Sequence, residues 1–199
     1  MAFFIGNSFC NLCQKDKESL LKEMKLCLKG LKFKGFIIYS ASAKLPKDDN
    51  IIFVGKDLEL HKAIYNKRPD VNSIFYVRNS YIYAATKDGL MDTVHAEATL
   101  VLSDIIISSD NSIHNLSNLA IGEPLRPIRI IIYKDEILGL GACVHESRAF
   151  LEIMDEWARV KVIAKALGDI KYPITLEKLR SLGARYARAI KFGGRSIVR

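Results

Sequence analysis

The sequence has few of the features that mark secreted, disordered or membrane-spanning proteins. It contains only four cysteines in 199 residues, unevenly placed, which argues against a disulfide framework. Proline (5) and glycine (12) are scarce and 49% of the chain is hydrophobic, so disorder is not expected. The apolar run at 100–107 is broken by Ser103 and Asp104, far short of the ~20 residues that span a bilayer. We therefore expect a globular cytoplasmic protein with no membrane partner.

Acidic residues are almost absent from the C-terminal fifth of the chain. Residues 157–199 hold eleven Lys/Arg and two acids, Asp169 and Glu177, a net charge of +9, whereas the whole chain carries +8. Charge concentrated at one end is typical of a surface that binds a polyanion. The composition therefore predicts RNA as the partner, with an acidic protein partner as an alternative.

The predicted last helix, 176–191, separates its charges from its apolar side chains. Leu176, Leu179, Leu182, Tyr186 and Ile190 share one arc of the helix. Arginine gives bidentate phosphate contacts that lysine cannot give, and most of the opposite arc is arginine. The predicted nucleic-acid-binding residues are Lys178, Arg180, Arg185, Arg188, Lys191, Arg195 and Arg199.

Helical and strand patterns alternate along the chain, which predicts an α+β fold. We expect a mixed or antiparallel sheet with flanking helices and a C-terminal helical pair with a basic outer face. A helix begins at Asp16 or Ser19, and 73–86 has the pattern of a two-stranded hairpin. The expected segments are an N-terminal α/β half (1–70), a β-rich half (71–146) and a basic helical segment (147–199).

The stretch "RIIIYKDEILGLGACVHES" (129–147) resembles the last strand pair of a PUA domain, a small RNA-binding β-barrel. The residues that carry the resemblance are Ile130, Ile131, Ile132, Tyr133, Leu138, Gly139, Leu140 and Gly141. Glycines suit such a strand because backbone or RNA phosphate can approach without meeting a Cβ. The resemblance implies a PUA-like half and a role in tRNA or rRNA processing, modification or ribosome assembly. On this interpretation the chain is a binding protein or complex subunit rather than an enzyme.

Two short motifs support a second interpretation, a zinc deaminase-like hydrolase acting on a nucleoside or base. Cys10 and Cys13 form a Cys-x-x-Cys, and Glu97 follows His95 by two residues, as in the zinc deaminases that these motifs resemble. The resemblance implies zinc on Cys10, Cys13 and His95, with Glu97 as the proton shuttle. The order of the two motifs is reversed, so the fold would be circularly permuted.

The remaining cysteines and histidines are compatible with more than one role. Cys10, Cys13, Cys143 and His145 could form a structural zinc site, or all four cysteines could be buried hydrophobic residues. His61 and His114 have no partner pattern and are expected at the surface or at helix caps. No bound cofactor is expected apart from zinc at one of these two sets of residues.

Overall fold

The computed structural model describes residues 16–45, 50–87, 105–122 and 128–168. Within these ranges the chain forms five helices and six strands. The helices are α1 (Lys17–Phe33), α2 (Leu58–Lys67), α3 (Ser80–Thr86), α4 (Ile113–Leu119) and α5 (Val144–Ala166). The strands are β1 (Ile37–Lys44), β2 (Ile51–Gly55), β3 (Ser73–Arg78), β4 (Ile105–Ile107), β5 (Ile130–Tyr133) and β6 (Glu136–Gly141).

The described strands form one mixed sheet in the order β2-β1-β3-β6-β5-β4. Neighbouring strands are antiparallel except for β4 and β5, which run parallel. The expected α+β architecture, a mixed sheet with flanking helices, is confirmed. The sheet joins β1, from the expected N-terminal half, to β3 and β6 from the expected β-rich half. The division at residue 70 stays a prediction, as does the segment 147–199.

Side chains alternate across the sheet, and each face builds its own apolar core. The first cluster includes Phe75 and Val77 of β3 and packs beneath α1, α3 and α5. The second includes Ile74 and Tyr76 of the same strand and packs beneath α2 and α4. The sheet therefore lies between two layers of helices, and a polar side chain on β3 can be assigned to a face from its position.

The first helix begins where the sequence predicts. Asp16 accepts a hydrogen bond from the Ser19 backbone N–H at 2.9 Å, which satisfies one of the free donors of the first turn. The apolar positions Leu20, Met24, Cys27 and Leu31 recur at helical spacing and are buried. This prediction is confirmed.

The predicted hairpin over 73–86 is wrong in its second half. Residues Ser80–Thr86 form α3, because the Asn79 side chain caps the helix by accepting hydrogen bonds from the backbone N–H groups of Tyr81 and Ile82. The amide of Asn79 also donates to Asp155 on α5 at 2.9 Å. The cap and this buried contact outweigh the strand propensity of "SYIY".

The two glycines of the "LGLG" segment in β6 allow a helix to pack closely against the sheet. A Cβ on Gly139 would lie 2.8 Å from Leu151 Cγ, and one on Gly141 would lie 2.6 Å from the Ser147 backbone nitrogen. Both contacts come from α5, so the glycines let this helix approach the sheet closely. The hairpin lies inside a helix-covered sheet, and the resemblance to the last strands of a PUA barrel is therefore wrong.

The helix α5 begins at Val144, three residues before the helical segment expected from residue 147. The basic helix 176–191 lies outside the described residues, so its place in a helical pair is a prediction. None of the helices in the described ranges is long and apolar enough to cross a membrane.

Candidate functional site

Polar side chains collect at one end of the sheet, where β3 ends and β6 begins. Tyr76 belongs to the second cluster, and Arg78 follows it by two residues on the same face of β3. Glu136 opens β6, pairs with Arg78 in register, and shares its face with Leu138 of the second cluster. We call this group the edge site. Its members are Tyr39, Asp57, Tyr76, Arg78, Asp135 and Glu136.

The centre of the edge site is a phenol bonded to a carboxylate. Tyr76 Oη donates a hydrogen bond to Glu136 Oε2. Burial raises the pKa of the Tyr76 phenol, and the hydrogen bond to Glu136 and the negative charges of Glu136 and Asp57 raise it further. The phenol therefore keeps its proton at neutral pH and directs it at a carboxylate.

A β-bulge brings a second tyrosine to this pair. The pairing of β1 with β3 shifts register between Ile38 and Ser40, which leaves Tyr39 as the extra residue. The Tyr39 ring meets the Tyr76 ring edge-on, with 5.4 Å between centroids. Gly55, opposite Ser40 on β2, has φ of 109°, and a Cβ there would lie 2.2 Å from the Tyr39 carbonyl oxygen. Glycine is therefore required beside the bulge.

The turn between β2 and α2 holds a residue in an unusual backbone conformation. Asp57 precedes the first turn of α2 with φ 66° and ψ 41°, in the left-handed region that non-glycine residues rarely adopt. Its carboxylate makes no capping hydrogen bond to the helix, and its charge acts on Tyr76. Such conformations cluster at functional sites, because the surrounding structure must hold them in place.

An ion pair supplies the positive charge of the edge site. Arg78 Nε lies 2.5 Å from Asp135 Oδ2, and the two side chains are 46% and 27% exposed. Asp135 is placed by the tight β5–β6 turn, in which Lys134 has φ of 54°. The edge site therefore combines a proton donor, a proton acceptor and an open guanidinium.

A second polar group on the same face is completely enclosed. His61 of α2 lies between Ser40 Oγ, 2.9 Å from Nε2, and Ser42 Oγ, 2.6 Å from Nδ1. Ser42 Oγ also lies 2.7 Å from Tyr65 Oη. We call Ser40, Ser42, His61 and Tyr65 the buried network. Burial lowers the pKa of His61 to about 4, so the ring is neutral, and the surface position expected for it is wrong.

Most residues of the sequence-predicted sites lie outside the described ranges. These residues are Cys10, Cys13, His95, Glu97, Lys178, Arg180, Arg185, Arg188, Lys191, Arg195 and Arg199. Within the described ranges, no three His, Cys, Asp or Glu side chains come together as a metal site. The described residues therefore do not offer a ligand set for zinc, and zinc on Cys10, Cys13 and His95 stays a prediction.

Two of the four residues considered for a structural zinc site lie at the start of α5. Cys143 is buried and precedes the first turn, and His145 Nδ1 is 3.8 Å from the buried Cys27 Sγ. His145 Nε2 is 3.3 Å from Glu23 Oε2. Burial raises the pKa of the Cys27 thiol to about 11, so Cys27 is a protonated, packed side chain.

Sequence reasoning missed the residues of the edge site. The available signal was weak: Tyr76 and Arg78 alternate at the end of an otherwise apolar strand. Nothing in the sequence links them to Glu136, which is 60 residues from Tyr76.

No protein-family model and no curated protein matches this sequence. The fold does match solved structures. An L-fuculose 1-phosphate aldolase from Glaciozyma antarctica is 15% identical, with 94% of each chain covered and a TM-score of 0.66. YgbL from Klebsiella pneumoniae, a proposed aldolase/epimerase/decarboxylase, is 15% identical over 85% of this chain and 100% of its own, with a TM-score of 0.66. A sugar-phosphate aldolase from Thermotoga maritima is 12% identical over 77% and 97%, with a TM-score of 0.63.

At 12–15% identity these likenesses establish the fold alone, and they overturn several predictions. The similar structures are enzymes of the aldolase and epimerase kind rather than PUA domains. RNA as the partner, a role in tRNA or rRNA processing or ribosome assembly, and the deaminase-like hydrolase are therefore wrong. The physical reason is that charge composition and short sequence motifs do not determine how the chain connects its strands and helices.

Proposed function

We propose that this protein is an enzyme of the aldolase kind that acts on a phosphorylated sugar at the edge site. Two observations support the proposal together. The fold is similar to those of two sugar-phosphate aldolases, over 94% and 77% of this chain. The edge site adds a proton donor and a proton acceptor to that fold, and the Tyr76–Glu136 hydrogen bond is the observation that carries the proposal.

The pair can supply the proton transfers of the aldol cleavage of a ketose phosphate. Glu136 takes a proton from the hydroxyl group on the carbon that becomes an aldehyde. The carbon–carbon bond then breaks, its electron pair passes to the carbonyl fragment as an enediolate, and Tyr76 gives that fragment a proton. The Tyr76–Glu136 hydrogen bond returns the proton from Glu136 to Tyr76, which resets the pair.

The positions of the other edge-site residues fit these roles. Burial and negative charge keep the Tyr76 proton in place until a carbanion-like fragment forms beside it. The Tyr39 ring packs edge-on against the Tyr76 ring.

The test is a screen for cleavage of ketose 1-phosphates into an aldehyde and a three-carbon ketose phosphate, with and without added Zn²⁺. We expect Glu136→Gln to lower kcat at least 100-fold, since general acid–base groups typically contribute 10²–10⁴-fold, with the fold retained. Glu59→Gln is the matched control, because Glu59 is exposed on α2 and pairs with Lys62.

Equal activity of Glu136→Gln and Glu59→Gln would contradict the role of the edge site. Absence of cleavage in the unmodified protein across the screen would contradict the proposed function itself.

A further inference from the structure

The ion-paired arginines of the described residues differ in how far the side chain is exposed, although Arg148 and Arg159, like Arg78, meet a carboxylate through Nε. Arg68 is buried, bonds both carboxylate oxygens of Asp70 and donates to the Ala120 carbonyl oxygen. Arg159 pairs with Asp155 and stacks on Tyr81, with 4.2 Å to the ring centroid. Arg78 contacts Asp135 through Nε and is the most exposed of the ion-paired arginines in these ranges.

The exposed part of Arg78 has the donor geometry for an oxyanion. A guanidinium carries five N–H donors in a planar fork, and Asp135 approaches one edge of it at Nε. The terminal nitrogens can therefore meet two oxygens of one phosphate group.

The distance along β3 relates this anion position to the reacting pair. Tyr76 and Arg78 are two residues apart on one strand, a separation of roughly 6.6 Å at about 3.3 Å per residue. Arg78 pairs in register with Glu136 and shares a face of β3 with Tyr76, so one sugar phosphate is long enough to reach from Arg78 to the Tyr76–Glu136 pair. In a ketose 1-phosphate, the carbons of the cleaved bond lie about four to five bonds from phosphorus.

We propose that Arg78 is the phosphate-binding residue of the edge site and that Asp135 is its competing counter-ion. The inference rests on the proposed function for the identity of the substrate, a phosphate monoester, but not for the binding of the anion. Asp135 pairs with Arg78 when no ligand is present, and a bound phosphate shares or replaces this contact. Removing the two charges must then have opposite effects on phosphate affinity.

Calorimetric titration with glycerol 3-phosphate, and with glycerol as the uncharged reference, tests the proposal. We expect Arg78→Gln to weaken glycerol 3-phosphate binding about 10-fold or more, because a charge-assisted hydrogen-bonded contact is lost. Asp135→Asn should strengthen the binding about threefold, because the competitor for the guanidinium loses its charge. Lys29→Gln is the control: it removes one positive charge from an exposed position on α1, which packs on the opposite face of the sheet.

Two results would overturn the inference. One is an equal loss of affinity in Arg78→Gln and Lys29→Gln, which would mean diffuse attraction to a basic protein. The other is weaker binding in Asp135→Asn, which would mean that Asp135 supports the anion site rather than competing with it. Thermal unfolding of each variant shows whether a loss comes from the site or from a damaged fold.

A kinetic comparison separates this inference from the proposed function. On a phosphorylated substrate Arg78→Gln should raise KM about 10-fold or more while kcat falls less than threefold. An active enzyme in which Arg78→Gln leaves KM unchanged would overturn the phosphate site and keep the function. Arg78-dependent binding of glycerol 3-phosphate without any sugar-phosphate cleavage would keep the site and overturn the function.

Discussion

The buried network and the edge site lie on the same face of one sheet. The first is suited to stabilising the fold, and the second is suited to binding and reacting with a ligand. In the buried network, His61, Ser42 and Tyr65 are fully or almost fully shielded from water and bonded to one another. In the edge site, Tyr76 is bonded to one carboxylate, while Asp57 and Arg78 are open to solvent. Ser40 of the network and Tyr76 of the site are even partners in the β1–β3 register.

The comparison shows that the role of a polar side chain depends on whether solvent or a ligand can reach it and on whether its donors and acceptors are already bonded. The residue type alone does not decide the role. Histidine is the commonest general base in enzymes, but both ring nitrogens of His61 are occupied by serine hydroxyls. A buried polar group that is completely satisfied stabilises one packing arrangement. At the strand end Tyr76 is itself buried, but Glu136 is half-buried and Asp57 and Arg78 are exposed to solvent.

The largest effect on stability should come from removing the centre of the buried network. We expect His61→Ala to lower the free energy of unfolding by about 4 kcal/mol, because Ser40 and Ser42 each lose a hydrogen-bond partner and a cavity opens beside Phe53. Urea denaturation measures this loss, and kcat of the folded variant should stay within about threefold of the parent.

Lys62→Ala, at the next position and exposed, is the control and should cost less than about 0.5 kcal/mol. A His61→Ala variant that is fully stable but inactive would reverse the roles assigned to the two regions.

A smaller effect on stability should appear as a pH dependence. In the unfolded chain His61 takes up a proton below pH ~6.5, whereas burial lowers the pKa of His61 to about 4 in the folded protein. The unfolded state therefore binds more protons between these values, and stability falls as the pH falls through this window, by roughly 3 kcal/mol in all.

The comparison that isolates this contribution is unfolding of the parent and of His61→Ala at pH 7 and pH 4.5. The parent should lose more stability than the variant, and His114→Ala, which changes an exposed histidine of α4, should behave like the parent. Equal pH dependence in the parent and His61→Ala would show that His61 does not remain neutral on folding.

Local signals in the sequence predicted the elements whose ends are set by neighbouring residues. The cap at Asp16 acts within a few residues, and the structure confirms α1. The strand pair expected within 129–147 is likewise formed by β5 and β6, which are joined by a tight turn. α3 was predicted as a strand because aromatic and β-branched residues favour sheets. Asn79 is a preferred capping residue and a local signal for the helix, but its second hydrogen bond is to Asp155, 76 residues away in the sequence.

The edge site could not be predicted, since it depends on the strand order and on one irregularity. Tyr76 and Glu136 meet because β3 and β6 are neighbours despite the long segment between them. Tyr39 joins them because the register of β1 shifts by one residue. Neither the strand order nor the register shift leaves a recognisable pattern in the sequence. The basic C-terminal charge and the short Cys and His motifs are recognisable patterns, and they led to the wrong function.

One pair of substitutions tests the central claim most directly, because it removes the same atom from each region. Tyr76→Phe removes the phenolic hydroxyl group from the edge site, and Tyr65→Phe removes the one in the buried network. The measurement is kcat on a cleaved ketose 1-phosphate beside the free energy of unfolding. We expect Tyr76→Phe to lower kcat at least 100-fold with less than about 1 kcal/mol of destabilisation, and Tyr65→Phe to keep kcat and lose about 1–2 kcal/mol of stability. Full activity in Tyr76→Phe, or a loss of kcat in Tyr65→Phe as large as in Tyr76→Phe, would contradict the account.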